Sequence, residues 1–231
     1  MSGPRHLFHT LYYWINVKTW VRLVVWICIK RNVIGLENVP KKGALILVSN
    51  HLNVGDPPLL TYITPRRVAW MTKQELFDIP VFGILYHLFG CIPVRRFEAD
   101  LRALRRSQEA LRRGLVLGMF PEGTRGPEKR LGRGEPGTAL IALRTNAPIL
   151  PVAVWGTENM KLPRDFFRRT SINVAYGEPF HLPKPARITK QAVTEGTETI
   201  MRKIAELLPE RYRGIYAGKE APRTMEPKGA M

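Results

Sequence analysis

The sequence predicts an α/β fold in which helices cover both faces of a mixed sheet, with a helical segment in front of it. Short apolar runs of strand type recur along the chain, and helical patterns separate them. The 231 residues are 45% hydrophobic, which is enough for one large core and too much for a disordered chain. We expect three parts: a helical segment (1–31), an α/β domain (32–212) and a loosely ordered tail (213–231).

The N-terminal segment is unusual in composition. Residues 5–31 contain three Trp, two Tyr, five Lys or Arg and no acidic residue. Lys18 and Arg22 interrupt it, so no apolar run reaches the roughly 20 residues that span a bilayer, and no small-residue cleavage site of a signal peptide follows. Aromatic rings with long basic side chains favour an amphipathic helix at a membrane interface. The alternative is an N-terminal helix packed on the domain.

The remaining elements follow in order. The predicted strands are 44–49, 68–71, 91–94, 115–120, 149–155 and 171–176. The predicted helices are 56–63, 75–88, 101–113, 138–145 and 189–208. Pro57 suits the first turn of a helix, and the helix 101–113 has leucines on one side and arginines on the other. Strands that alternate with helices predict a sheet covered on both faces.

The charge balance points to anionic partners. Lys and Arg number 36 against 19 Asp and Glu, a formal charge of +17, which suits nucleic acid, anionic lipid or a phosphorylated substrate. Seven arginines between residues 95 and 113 make a nucleic-acid-binding module one alternative, although no zinc-finger or RNA-binding aromatic motif accompanies them. Two cysteines and five scattered histidines lack metal-ligand spacing, so we predict no metal.

A histidine and an aspartate lie where the first buried strand gives way to a helix. The chain reads SNHLNVGDPPLL there, with His51 and Asp56 five residues apart. A histidine that acts as a general base needs a second group to hold its tautomer and stabilise its cation, and a carboxylate does both. The same spacing also suits a simpler arrangement, in which Asp56 caps the helix and His51 is hydrogen-bonded locally.

A second polar motif, FPEGTRGPEKR, follows the strand that ends at Phe120. Gly123 permits a tight turn, and Thr124 and Arg125 offer a hydroxyl and a guanidinium to an oxyanion such as phosphate. Glu122 would repel phosphate, so we expect it to orient an arginine or to accept a hydroxyl proton. The alternative is a polar loop with a Glu/Arg ion pair.

Together the two motifs resemble the 1-acylglycerol-3-phosphate acyltransferase family of phospholipid and glycerol acyltransferases. NHxxxxD at a strand end and FPEGTR about 70 residues later occur in the family's order. Three further segments are similar to family boxes: MTKQELF (71–77), GCIPVRR (90–96) and ILPVAVWG (149–156). The resemblance covers residues 36–180.

The resemblance implies a role for each matching residue. His51 and Asp56 would be catalytic, and Arg96 would bind the substrate phosphate together with Arg125 and Lys73. Glu122, Gly123 and Thr124 would shape that pocket. Family members often have an acidic residue where this chain has Arg95. Either Arg95 or Arg96 therefore faces the phosphate, and the other is a solvated charge at the strand end.

The resemblance also implies a reaction. A fatty acyl group would pass from acyl-CoA or acyl-acyl carrier protein to the free hydroxyl of lysophosphatidic acid, giving phosphatidic acid in phospholipid biosynthesis, with no cofactor besides that co-substrate. The partners would then be membrane lipids and the thioester donor, at the cytoplasmic face of a membrane. The alternatives are an acceptor such as glycerol-3-phosphate or another lysophospholipid, and a non-catalytic membrane-bound scaffold.

Overall fold

A computed structural model of the protein describes residues 13, 15, 19, 21–95, 100–160 and 169–218. The strands are β1 (Ile29–Ile34), β2 (Leu45–Ser49), β3 (Val68–Lys73), β4 (Ile92–Val94), β5 (Val116–Met119), β6 (Ile149–Trp155) and β7 (Thr170–Tyr176). The helices are α1 (Arg22–Cys28), α2 (Asp56–Ile63), α3 (Pro80–Phe89), α4 (Leu101–Arg112), α5 (Gly137–Thr145) and α6 (Lys190–Leu207).

The seven strands form one mixed sheet in the order β1-β7-β6-β2-β5-β3-β4. Every neighbouring pair is parallel except β6 and β7, which are antiparallel. The parallel strands β2, β5, β3 and β4 therefore end at the same edge of the sheet. That edge is where α/β proteins place their sites.

The alternating side chains of the central strands divide the core into two layers. Ile46 and Val48 of β2 pack on one face, which α4, α5 and α6 cover. Leu45 and Leu47 pack on the other face, which α1 and α2 cover. Because every second side chain of a strand points to the opposite face, both layers are apolar along β2. The predicted mixed α/β fold with helices on both faces is confirmed.

The predicted helix 75–88 is wrong at its start. Residues 74–77 form a 3-10 turn, and α3 begins only at Pro80. Ile79 is extended, with φ −79° and ψ 117°. A proline disfavours helical geometry in the residue before it, so Pro80 separates the two elements.

The sheet contains a strand that the sequence did not reveal. Residues 29–31 fall within the predicted helical segment, but they begin β1, which pairs with β7 from Ile29 opposite Thr170. Lys30 and Arg31 are exposed, as charged side chains on a strand at the edge of a sheet often are. Because they interrupt the apolar residues of β1, the sequence does not have the apolar pattern of a buried strand there. Most of the predicted interface segment lies outside the described residues, so its helical character stays a prediction.

The chain remains ordered beyond residue 212, where the tail was predicted to begin. Residues 214–216 form a 3-10 turn, and Tyr216 is buried in the core together with Tyr212. The core thus includes these residues of the predicted tail, while 219–231 lie outside the described residues. In the part of the chain that is described, each helix is too short or too polar to cross a bilayer.

Candidate active site

The polar motifs lie at the sheet edge where the parallel strands end. His51 follows β2 by two residues, and Glu122 follows β5 by three. Lys73 is the last residue of β3, and Arg95 directly follows β4. Strands are about 4.8 Å apart in a sheet, so the end of β5 is one strand spacing from the end of β2, and the end of β4 is about 14 Å from it.

His51 and Asp56 are in direct contact, as the sequence predicted. The Nδ1–H of His51 donates to Oδ2 of Asp56 at 2.9 Å. The same oxygen accepts the backbone N–H groups of Leu52 and Asn53, each at 2.7 Å. Because an oxygen that already accepts two N–H groups faces Nδ1, the neutral form of the ring has its proton on Nδ1 and its lone pair on Nε2. That is the tautomer a general base requires.

The carboxylate of Asp56 is completely buried. Its side chain has an exposed fraction of 0%, against 12% for His51. Its second oxygen, Oδ1, accepts no hydrogen bond from any residue that the structure describes. Asp56 also begins α2, where the partial positive charge of the helix N-terminus favours a carboxylate. No N–H group of α2 donates to this carboxylate, so of the two interpretations that the sequence left open, the structure shows the orientation of His51 and not a cap on the helix.

Two aromatic rings hold the plane of the imidazole. The His51 ring stacks on Phe120, with centroids 4.1 Å apart, and Phe120 stacks on Trp70 at 4.8 Å. Trp70 is held in turn by its indole N–H, which donates to the hydroxyl of Thr61 in α2. The stack limits rotation of His51, so its free Nε2 keeps one direction. The sequence did not indicate this stack, because its members come from three separate segments of the chain, in or next to β2, β3 and β5.

Two asparagines connect this loop to the end of β6. The amide of Asn50 exchanges hydrogen bonds with the backbone of Val154, at 2.7 and 2.8 Å. The Asn53 amide donates to the carbonyl groups of Thr157 and Met160. Both asparagines lie close to His51 in the SNHLN sequence, and that position was the only indication in the sequence that they could belong to the site. Their hydrogen-bond partners lie more than 100 residues away along the chain. They position the loop that holds His51 and Asp56.

Glu122 has a role that the sequence analysis did not foresee. Its Oε1 accepts the backbone N–H of His51 at 3.1 Å, and its Oε2 accepts that of Gly132 at 2.9 Å. Burial raises the pKa of this carboxyl to about 7, whereas its two backbone donors lower it. Both oxygens are used for backbone contacts, so Glu122 is a positioning residue that joins the two predicted motifs.

The loop after β5 turns as expected. Gly123 has a φ of +68°, which glycine adopts without strain, and its N–H donates to the carbonyl of Phe120. Farther along, the N–H of Gly126 donates to the carbonyl of His51 at 2.8 Å. Thr124 and Arg125 are exposed in this loop, so both are accessible to an anion in solution.

The remaining predicted basic residues are farther from His51. Lys73 is half-exposed and pairs with Glu75 at 3.1 Å. Arg95 is exposed, and its backbone N–H donates to Asp100, which caps α4. Arg96 lies outside the described residues, so its role stays a prediction.

A mainly apolar cavity of about 560 Å³ lies next to the aromatic stack. It runs between α4 and α5, beneath the ends of β3, β4 and β5. Its apolar lining consists of Met71, Val94, Leu101, Ala103, Leu104, Met119, Phe120, Pro121, Pro136, Leu140 and Ile141. Phe120 contacts both the His51 ring and this cavity. A long apolar group in the cavity can thus end beside the histidine.

Among the described residues, no three His, Cys, Asp or Glu side chains lie close enough together to hold a metal ion. The absence of a metal cofactor stays a prediction from the sequence.

Replacing Glu122 with glutamine tests its positioning role. A folded-state pKa raised from 4.5 to about 7 means that the folded protein binds a proton more tightly than the unfolded one. Stability from this group is therefore complete below pH 4.5 and is lost as the pH rises through 7. Between pH 4.5 and about 7, titration of this carboxyl should lower the free energy of unfolding of the wild type by up to about 3 kcal/mol. The free energy of unfolding of Glu122→Gln should not show this decrease.

Urea unfolding of both proteins at several pH values measures this difference. The glutamine amide can accept only one of the two backbone N–H groups, of His51 and Gly132, so the loop that carries His51 loses a contact. The variant should therefore also have a lower kcat, with an unchanged KM. Glu128→Gln changes an exposed carboxylate of the same loop and is the control. Identical pH dependence in Glu122→Gln and wild type would contradict the role proposed for the buried carboxyl.

The chain is similar in sequence to proteins named as acyltransferases. The 1-acyl-sn-glycerol-3-phosphate acyltransferase of Borreliella burgdorferi is 31% identical over 162 residues, covering 66% of this chain and 62% of that protein. The protein of that name from Bacillus subtilis is 28% identical over 174 residues, covering 74% and 84%. A chloroplastic relative from Brassica napus is 31% identical over 143 residues, but the match spans only 41% of its length.

A solved structure shares the fold. The crystal structure of the 1-acyl-sn-glycerophosphate (LPA) acyltransferase, PlsC, from Thermotoga maritima matches with a TM-score of 0.63 and 24% identity, covering 89% of this chain and 97% of that one. Residues 30–155, more than half of this chain, match the protein family described as Acyltransferase. These residues contain the His51–Asp56 pair and the loop of Glu122, and the chain belongs to the acyltransferase family.

Proposed function

We propose that this protein transfers a fatty acyl group from a thioester donor, acyl-CoA or acyl-acyl carrier protein, to the free hydroxyl of 1-acylglycerol-3-phosphate. The product would be phosphatidic acid. One observation carries the proposal: the buried Asp56 holds His51 in the tautomer of a general base, beside an apolar cavity. The names of the Borreliella burgdorferi and Bacillus subtilis relatives support lysophosphatidic acid as the acceptor.

In this mechanism His51 activates the acceptor. Its Nε2 takes the proton of the hydroxyl as the oxygen attacks the thioester carbon, and general-base assistance of this kind contributes about 10² to 10⁴ in rate. The carboxylate of Asp56 stabilises the imidazolium that forms. A C–O bond replaces the C–S bond, and the imidazolium returns the proton to the departing thiolate. No covalent acyl-enzyme is required.

Basic and hydroxyl groups at the same edge of the sheet would bind the phosphate of the acceptor. Thr124 and Arg125 follow the turn at Gly123, and Lys73 is the last residue of β3. Arg96 is assigned to the same role from its position in the GCIPVRR segment. The lipid nature of acceptor and product supports a membrane-associated protein, at the cytoplasmic face because both thioester donors are cytosolic.

Thiol release with palmitoyl-CoA tests the reaction. The assay compares lysophosphatidic acid, glycerol-3-phosphate and lysophosphatidylcholine as acceptors, and mass spectrometry identifies the product. Release of thiol that requires lysophosphatidic acid, with phosphatidic acid as product, supports the proposal. Acyl carrier protein replaces CoA if palmitoyl-CoA is inactive. Preference for another acceptor, or no transfer from either donor, would contradict it.

A tryptophan in the cavity should change the choice of acyl donor. Leu140 lies half-buried on α5 and lines the cavity. Leu140→Trp shortens the space, so we expect kcat/KM for palmitoyl-CoA to fall about tenfold or more relative to octanoyl-CoA, since even one methylene changes specificity about tenfold. Ile215→Trp, at an exposed position outside the cavity, is the control. An equal loss with both donors would contradict a role of the cavity in holding the acyl chain.

A further inference from the structure

Two short turns after α6 contact both loops that are bonded to residues 50–56, which we call the His51 segment. The chain forms 3-10 turns at Glu210–Tyr212 and Gly214–Tyr216, well beyond residue 155, where the match to the acyltransferase family ends. Tyr212 is buried, and its hydroxyl and its backbone carbonyl are bonded to two different loops. The proposed reaction gives this residue no role.

The hydroxyl of Tyr212 holds the turn that follows β6. It donates to Oε1 of Glu158 at 2.6 Å, the length of a strong hydrogen bond to a carboxylate. The other oxygen of Glu158 accepts the backbone N–H of Gly156 at 2.8 Å. Because Thr157–Asn159 is a single 3-10 turn, this carboxylate connects the whole turn to Tyr212.

The same turn is hydrogen-bonded to the His51 segment. The side-chain amide of Asn53 donates to the carbonyl groups of Thr157 and Met160, at 2.9 and 3.2 Å. The backbone N–H of Asn53 donates to Oδ2 of Asp56, the oxygen that also accepts the Nδ1–H of His51. A shift of the turn would therefore move Asn53 and the carboxylate that orients the histidine.

The backbone carbonyl of Tyr212 holds a second loop, the one that follows β5. It accepts the N–H of Leu131 at 2.8 Å. The next residue, Gly132, donates its N–H to Glu122, whose other oxygen accepts the N–H of His51. This loop is thus bonded to Tyr212 on one side and to the His51 segment on the other.

A glycine lets the C-terminal turns lie this close to Leu131. Gly214 has a φ of +52°, and a Cβ at that position would overlap the carbonyl oxygen of Leu131. Any other residue would push the two backbones apart. Leu131 is buried in the same core layer as Tyr212 and Tyr216. The contact therefore depends on backbone and core packing, which hold Tyr212 in one place.

From these contacts we propose that Tyr212 is a positioning residue for the acyl transfer. Its hydroxyl and its carbonyl keep the turn at 156–160 and the loop at 131–132 in a fixed relation, and the His51 segment is bonded to both. The inference rests on the proposed function, which requires Nε2 of His51 to face the acceptor hydroxyl. Tyr212 does not line the cavity, so it does not contact an acyl chain held there.

Phenylalanine at position 212 removes the hydroxyl and keeps the buried ring. The turn at 156–160 then loses its bond to the C-terminal turns. We expect kcat with palmitoyl-CoA and lysophosphatidic acid to fall about tenfold, because the rate depends steeply on the placement of the base. KM for both substrates should stay unchanged.

The matched control is Tyr176→Phe. The hydroxyl of Tyr176 is bonded to that of Thr64 at 3.0 Å, beyond the C-terminal end of α2. The two tyrosines are 3% and 7% exposed, so each variant loses one hydrogen bond of a buried hydroxyl, and urea unfolding should show a similar loss of stability in both. Only Tyr212→Phe should lose activity. Wild-type kcat in Tyr212→Phe, or an equal loss in Tyr176→Phe, would overturn the proposal.

A second background tests whether the hydroxyl acts through Glu158. Glu158→Ala should also lower kcat, since it removes the acceptor of the Tyr212 hydroxyl. In Glu158→Ala, the further change Tyr212→Phe should have no effect, because the contact is already absent. A second loss of about tenfold in that background would overturn the proposed connection.

Hydrogen exchange reports on the His51 segment without acyl transfer. The N–H groups of residues 51–53 are bonded to Glu122 or Asp56, so they exchange slowly while the segment is held. They should exchange faster in Tyr212→Phe than in wild type, and at the wild-type rate in Tyr176→Phe. Equal exchange in Tyr212→Phe and wild type would overturn the proposal.

The two measurements separate this proposal from the proposed function. If the wild type transfers no acyl group from either donor, the proposed function fails, whereas faster exchange in Tyr212→Phe still supports a hold of Tyr212 on the His51 segment. If the wild type is active and Tyr212→Phe has wild-type kcat and exchange, the role of Tyr212 alone fails.

Discussion

Alanine at position 51 is expected to lower kcat about 10³-fold, with little change in KM for either substrate. The imidazole is the group beside the cavity whose Nε2 can take the hydroxyl proton, and general-base assistance contributes about 10² to 10⁴ in rate. The phosphate and the acyl chain are held by other residues, so binding should persist. Stopped or continuous thiol assays with lysophosphatidic acid measure both constants.

The control for this variant is His181→Ala, which removes an exposed histidine outside the site. It should keep wild-type kinetics. A His51→Ala protein that is folded and has a kcat within threefold or so of wild type would exclude His51 as the base. In that case the non-catalytic scaffold that the sequence left open would regain support.

Asparagine at position 56 should reduce kcat about 10²- to 10⁴-fold although its shape is unchanged. The amide oxygen can still accept the three N–H groups that converge on Oδ2, but it has no negative charge to stabilise the imidazolium. The amide nitrogen would occupy the buried place of Oδ1, which has no hydrogen-bond partner among the described residues. An unsatisfied buried donor costs about 1–3 kcal/mol, so the free energy of unfolding should fall by that amount.

Kinetics and urea unfolding of the same preparation measure the two effects of Asp56→Asn. Asp78→Asn, at an exposed position before α3, should change neither quantity. A stable, fully active Asp56→Asn protein would contradict the orientation of His51 by Asp56. Loss of stability with normal kcat would leave Asp56 with a structural role alone, as the acceptor of the backbone N–H groups of Leu52 and Asn53.

Much of the framework could be predicted from the sequence because it depends on local patterns. The apolar run at Leu45–Ser49 and the helix start at Asp56 lie within a dozen residues of each other, so His51 and Asp56 could be recognised at a strand-to-helix junction. Their contact requires only the intervening turn. Strand β1 was missed for the opposite reason, since its exposed Lys30 and Arg31 conceal the pattern of an edge strand.

The long-range parts of the site were decided by the order of the strands in the sheet. Only because β5 lies between β2 and β3 does Phe120 stack between His51 and Trp70. The same order brings Glu122 to the backbone N–H of His51, 71 residues earlier in the chain.

The sequence by itself determined the strand and helix pattern, the pairing of His51 with Asp56, the tight turn at Gly123 and the basic character of the surface. Tertiary structure decided that Glu122 contacts backbone, that Phe120 lines the cavity and that α3 exposes apolar side chains to solvent. The physical reason is that periodicity reports which residues are apolar, whereas the packing of distant elements determines which apolar surfaces are covered.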